Sequence, residues 1–435
     1  MTRDQQSIIS QFKLLVLIFS ASLLLFSCVN SKEKEISKNM NKSTSAKDIL
    51  GNPDYLAISY GGYRKNTRDI QPTIPELKED MKILATMGIG ILRTYNLQLP
   101  QASNILKAIK ELKQEDSNFE MYVMLGTWID CQNAWTDQPN HEEEDVEANL
   151  AEINKAVALA NKYPDIVKII AVGNEAMVHW ATSYFVRPNV ILKWVNHLQG
   201  LKKSGKLSKD LWITSSDDFS SWGAGNHDYH VPDLEHLIKA VDYVSMHTYP
   251  MHNSYYSPEF WVIPEEEQNL SDIEKVDAAM LRALDFAKKQ YKDVSNYVKS
   301  IDSTKTIHIG ETGWATVSNG HYGITGSRAA DEYKAGTFYK LMREWTNKEH
   351  ISLFYFEAFN ENWKDGQNPL GSENNFGLIT LDGQAKYALW DLVDQGVFDG
   401  LTRNGNPITK TYNGNKEELM KDVLVLETLV EVINN

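Results

Sequence analysis

Eight short runs rich in β-branched and aromatic residues recur along this chain. They lie at Leu56 to Tyr60, Ile89 to Tyr95, Met121 to Leu125, Val167 to Val172, Leu211 to Ser215, Val241 to His247, Thr306 to Ile309 and Ile351 to Phe356. Helical patterns separate many of them, at Pro75 to Met87, Ala102 to Leu112, Asp145 to Lys162, Asn189 to Lys203, Ile273 to Tyr297 and Ser327 to Trp345. Several of these open on Pro, an acid or a hydroxyl residue, as helix starts do. Strands alternating with helices imply a parallel sheet, and eight such units close into a (β/α)8 barrel, an α/β fold.

The ends of the chain read differently. Arg3 and Lys13 flank a polar start, and the apolar run Leu14 to Phe26 is too short to cross a bilayer, the pattern of a signal peptide over residues 1–27. It closes on Leu25-Phe26-Ser27-Cys28, which is similar to a bacterial lipobox and implies cleavage before Cys28 and lipidation of that residue; the alternative is an ordinary secretory signal. Residues 28–50 are rich in Lys, Ser, Asn and Glu and are expected to be a disordered tether. The barrel is expected over residues 51–396, with 397–435 a C-terminal extension packing on it, a strand at Ile408 to Tyr412 and a helix at Glu417 to Val432. Of the two cysteines, Cys131 is left without a partner if Cys28 carries lipid, so no disulfide is expected and Cys131 reads as a small buried residue. A formal charge of −14 disfavours nucleic acid and anionic lipid as partners and is compatible with a neutral ligand.

Two glutamates stand at the downstream ends of strand-like runs: Glu175 in Ala171-Val172-Gly173-Asn174-Glu175 and Glu311 in His308-Ile309-Gly310-Glu311. Barrel strands present their carboxyl ends to one face, so both acids are expected in one cleft. A paired-carboxylate enzyme is the natural reading. One carboxyl protonates a leaving oxygen while the other, ionised, attacks or stabilises the electron-poor carbon, as glycosidic bond cleavage requires.

Val172-Gly173-Asn174-Glu175 on the fourth strand and Gly310-Glu311-Thr312-Gly313-Trp314 on the seventh resemble glycoside hydrolase family 17 of clan A, which contains plant and fungal β-1,3-glucanases. Further segments fit: Ser59-Tyr60-Gly61, Leu92-Arg93-Thr94-Tyr95, His247-Thr248-Tyr249-Pro250, and Phe359-Asn360-Glu361 with Lys364, Glu373 and Phe376-Gly377-Leu378. The resemblance spans Tyr55 to Trp390. It implies a retaining double displacement with Glu175 as general acid and base, Glu311 as nucleophile, and their carboxyls about 5 Å apart. Asn174 would bind the sugar 2-hydroxyl, or else make a local strand-end hydrogen bond. Glu361, Lys364 and Glu373 match a family cluster in which a cation holds the nucleophile ionised and the acids orient it and bind hydroxyls, although Glu373 could equally be solvated surface. Arg93 and Tyr95 would form the cleft floor. Tyr60, Tyr249 and Trp314 are candidates for stacking on sugar rings, with barrel core the alternative for such aromatics.

The resemblance implies a β-glucan substrate; no cofactor or metal is expected. The chain is read as a monomer that the lipid on Cys28 holds to the outer membrane, facing the periplasm or the cell surface, as Val29 and Ser31-Lys32-Glu33-Lys34-Glu35 suggest. Transfer to a sugar acceptor, or glycan binding without catalysis, are the competing functions. The loops Trp128 to Glu144 and Ser220 to Pro232 depart from the family outline and are rich in Trp, Asn, His and Asp, as binding loops tend to be, and His247 stands where Asn is common. His227, Asp228 and His230 lack a third partner at the fixed spacing a metal site needs. The loop Pro250 to Asn269 carries Tyr255, Tyr256, Phe260 and Trp261 and could wall a subsite.

Overall fold

A computed structural model describes residues 44–427. Its centre is a closed barrel of eight parallel strands: β1 (Leu56–Ser59), β2 (Ile89–Arg93), β3 (Tyr122–Thr127), β4 (Val167–Asn174), β5 (Trp212–Asp218), β6 (Val244–His247), β7 (Ile307–Gly313) and β8 (Leu353–Phe356). Strand β1 closes the ring by pairing with both β2 and β8. Each strand is covered by helices outside and side chains inside, which is why the sequence shows continuous apolar runs rather than alternation. Alternate residues separate two cores. Ile58, Leu92, Val123 and Ile170 join the large core shared with the helices. Ala57, Ile91, Met124, Ile169 and Phe354 point the other way, into the barrel.

Helix ends follow local chemistry. Thr73 and Glu76 form a capping box at Ile74–Thr86, Asp145 caps Val146–Lys162, and Asp331 caps Glu332–Lys348. Pro188 and Pro232 sit in the first turns of Pro188–Lys203 and Pro232–Ala240. The second of these helices lies at the end of a stretch expected to be loop. No described helix is long and apolar enough to cross a membrane.

Three expectations at the ends are corrected. The end of the proposed tether is folded: Ala46–Ile49 is a short helix, and Ala46, Ile49 and Leu50 are buried in the inner core with Ala57 and Phe354. That apolar burial is what orders a stretch whose polar composition suggested disorder. Of the helix expected at Glu417 to Val432, the described residues, which end at 427, form only Lys416–Lys421. Beyond it the backbone is paired elsewhere, Leu424 N–H donating to Asp331 and its carbonyl accepting from Lys334, so tertiary partners replace helical ones. The strand expected at Ile408 to Tyr412 is reduced to Thr409–Lys410, paired with Gln384–Ala385 and followed by a 3-10 turn. The leader with Cys28, and residues 428–435, lie outside the described residues.

The extension is tied to the barrel by charge as well. Arg403, fully buried, donates to Asp80 at 3.0 Å and lies 4.0 Å over the ring of Phe359. Asp80 also accepts from Arg64 at 2.6 Å and from the Tyr60 hydroxyl at 3.0 Å.

Candidate active site

Strand register brings the site together. Arg93 is level with Ser59 and Met124, Asn174 with Ser216, and His247 with both Asp218 and Glu311, all at the carboxyl ends. At the end of β4 the chain turns sharply, with Gly173 at φ +82° and Glu175 at φ +46°. The second value is in the left-handed region, which a side-chain-bearing residue enters at a cost and which is often found at functional sites. The Glu175 N–H donates to the Ser216 carbonyl at 3.0 Å, and this fixes the turn.

Glu311 is held by three donors. Arg93 Nη1 reaches its Oε2 at 2.6 Å, the Tyr95 hydroxyl the same oxygen at 2.9 Å, and the Tyr249 hydroxyl its Oε1 at 2.6 Å. The other arm of the Arg93 guanidinium donates to Asn174 Oδ1, so one buried cation aligns the nucleophile candidate and its neighbouring amide. Burial alone would push the Glu311 carboxyl up. The pull of His247 and Arg93, with the two tyrosine hydroxyls, outweighs it and holds the group below the usual carboxylate value.

Glu175 is treated in the opposite way. Burial, then the charge of Glu311, then Asp218, drive its carboxyl well above the usual value. Its Oε1 is 2.9 Å from His247 Nδ1, and His247 Nε2 is 2.8 Å from Ser216 Oγ. Burial lowers His247 to about 4, which leaves it neutral at neutral pH, so Arg93 is the lasting positive charge in the site. Asp217 beneath is pushed up to about 7, mainly by burial.

Glu175, His247 and Glu311 bring one ligating atom each within 4.8 Å of one another. Both Glu311 oxygens already accept hydrogen bonds, and the adjoining guanidinium sets a positive charge where a cation would have to bind, so the trio is suited to acid–base work rather than to a metal. One carboxyl kept protonated and one kept ionised at this separation meet the needs of a displacement at a sugar carbon through a covalent intermediate.

A cavity of about 620 Å³ opens from Glu311 and Asn174, walled by Tyr95, Trp128, Trp135, Trp363, Glu361, Lys364 and Glu373 among others. Of the expected binding residues, Asn174, Tyr95, Glu361, Lys364 and Glu373 line it, Glu373 on its exposed rim. Gly61 also faces the cavity because Glu361 Oε1 passes 1.9 Å from where a Cβ would stand.

Four roles change. Trp314 is core: it is 1% exposed, its Nε1 donates to the Ala329 carbonyl, and it packs between Trp261 and Phe338. Tyr60 is core as well, buried on Asp80. Lys364 pairs with Glu357 at 2.6 Å and covers the Phe356 ring, while the cation on Glu311 is Arg93. Tyr249 donates to Glu311 rather than forming an open sugar platform.

Glu357 was missed, Trp128 and Trp135 lie in the loop whose composition suggested binding, and His247 was noted only as a departure from the family. The spacing of His247 and Tyr249, two apart at a strand end and so on one face, was a usable signal for that pair. His227 and His230 contact each other through their Nδ1 atoms, and His230 stacks on Tyr297.

The barrel and its unequal carboxyl pair define a glycoside hydrolase. The chain belongs to the BtgE/BtgC glycoside hydrolase domain family, whose profile matches residues 57–377. It is 26% identical over 321 residues to a glucan 1,3-beta-glucosidase of Arthroderma benhamiae, covering 72% of this chain and 83% of that protein. Among solved structures, an endo-laminarinase from Formosa Hel1_33_131 is 66% identical with a TM-score of 0.87, over 88% of this chain and 98% of that one. An active-site mutant of Rhizomucor miehei β-1,3-glucanosyltransferase, solved with laminaritriose, is 19% identical with a TM-score of 0.53, over 77% of this chain and 96% of that one, and shares the fold.

Proposed function

We propose that this chain hydrolyses β-1,3-glucan of the laminarin type, cutting within the chain and retaining the anomeric configuration. The carrying observation is the contrast of two carboxyls within 4.8 Å, one raised and one lowered. The high identity to an endo-laminarinase supports the linkage and the internal mode of attack.

In this reading Glu175 protonates the leaving oxygen while Glu311 attacks the anomeric carbon. Forming the covalent intermediate removes the Glu311 charge, and with it one of the influences that keeps Glu175 protonated. Glu175, which has given its proton to the leaving group, then stays ionised more readily and takes a proton from the attacking water. The Asn174 carbonyl is taken by Arg93, which leaves its amide N–H groups to meet the 2-hydroxyl. Incubating the enzyme with laminarin, mixed-linkage glucan and cellulose, sizing the products and following the first-formed anomer by NMR tests this. Laminarin should yield short oligomers of retained configuration. Faster cleavage of cellulose would sink the linkage, and inverted first products the mechanism.

The same proposal places the enzyme outside the cytoplasm on a lipid anchor at Cys28, with the run Leu14 to Phe26 and the segment Leu25-Phe26-Ser27-Cys28 as support. Val29 and the acidic-basic stretch Ser31 to Glu35 favour the outer membrane. Cys28→Ser should move the protein out of the membrane fraction or block its maturation, and an unchanged fraction would count against the anchor.

A further inference from the structure

The loop after β3 contains a small hairpin that the catalytic reading leaves unused. Cys131–Gln132 pairs with Asn140–Glu144, and Trp135 stands at its turn. Trp135 is 62% exposed and holds φ +63°, so a large apolar side chain is presented to solvent from a strained backbone.

The residue is held there firmly. Its N–H donates to the Ser183 carbonyl at 2.8 Å, and its ring stacks on Tyr184 at 4.9 Å and 20°. Trp128 packs on the same tyrosine at 5.1 Å, with its Nε1 donating to Asp130 at 2.7 Å. The far arm of the hairpin is fastened by His141 stacked on Phe185 at 3.7 Å and by Glu142 paired with Arg187. A rigid indole with an open surface, set in the cavity wall, is the chemistry that packs on the C–H face of a pyranose ring.

Position assigns the side. The cavity is walled by Glu311 and Asn174 but not by Glu175. The glucosyl unit being transferred must lie over the nucleophile, with the leaving group beside the acid, so a cavity lined by Glu311 and not by Glu175 is assigned to the transferred part of the chain. Tyr63 and Trp363, in edge contact at 5.7 Å, form another aromatic wall of the same cavity.

We propose that Trp135, backed by Tyr184 and Trp128, is a distal glucosyl subsite on the donor side that makes cleavage depend on chain length. This rests on the β-glucan reading above and adds where, and by which residue, a long chain is recognised. Trp135→Ala and Trp135→Phe in the full chain, assayed for kcat and KM on laminarihexaose and laminaritriose, decide it. The Ala variant should raise KM for the hexaose about three- to tenfold more than for the triose, with kcat little changed. The Phe variant should recover most of the loss, since a flat ring is restored. In a Glu311→Gln background, laminarihexaose should shift tryptophan fluorescence, and Trp135→Phe should diminish that shift. Equal effects on both lengths, or none, would overturn the subsite. A parent enzyme that ignores both oligosaccharides but cuts another β-glucan would overturn the linkage instead, and the same length comparison on that glucan then decides the subsite.

Discussion

Glu175 and Glu311 sit on the same rim of the barrel, yet their surroundings share little. Glu311 meets a guanidinium and two phenolic hydroxyls, all donating. Glu175 meets a neutral imidazole and is repelled by the carboxylates of Glu311, Asp218 and Glu373. Burial pushes both upward, so accessibility does not separate them; the donors and charges around each group do. Acid and nucleophile are thus distinguished by their neighbours on β2, β5 and β6, not by anything in the two side chains.

The strongest way to break that contrast is to remove the ionised member. Glu311→Gln should lower kcat on laminarin by roughly four orders of magnitude or more while the protein stays folded, as circular dichroism would show. Near-normal turnover would end the assignment. Glu175→Gln should cost about 10²- to 10⁴-fold on laminarin, but far less on an aryl glucoside with a good leaving group, which needs no proton. Equal losses on both substrates would remove the acid role.

Subtler changes sharpen the comparison through pH. Activity needs Glu311 ionised and Glu175 protonated, so kcat/KM should be bell-shaped, its acid limb set by Glu311 and its alkaline limb by Glu175. Arg93→Lys loses the forked contact to Glu311 and Asn174. Glu311 then becomes harder to ionise, and the acid limb should move to higher pH. An unmoved acid limb in a folded variant would mean that Arg93 only supports the structure. The smallest effect is expected from Asp218→Asn. Losing that negative charge lets Glu175 ionise sooner and should shift the alkaline limb slightly to lower pH. A shift upward would contradict the repulsion described here.

Much of this was legible in the chain because doubly covered parallel strands write themselves as apolar runs, and because an acid closing such a run has few structural reasons to be there. Glu175 and Glu311 stood out for that reason. Aromatics at strand ends carry no such mark, since the same ring serves core or ligand. Tyr60 and Trp314 proved to be core, and Trp135 faces the cleft. Lys364 had Glu357, Glu361 and Glu311 to choose from, and only three-dimensional proximity reveals that it pairs with Glu357 at 2.6 Å and Glu361 at 3.6 Å. The hairpin strand Asn140–Glu144 is polar and acidic, with almost no intrinsic strand preference to read.

The ion pair of Arg403 with Asp80 joins residues 323 positions apart. Asp80 lies on the first helix after β1, fully buried, where a missing counter-charge costs about 3–5 kcal/mol. Synthesis runs from the other end. Until almost the entire polypeptide has been assembled, the first strand–helix unit can offer its aspartate only Arg64 and the Tyr60 hydroxyl. The charge balance of the buried Asp80 is completed only when Arg403 joins it, so seating of the C-terminal extension is a condition for a fully paired barrel.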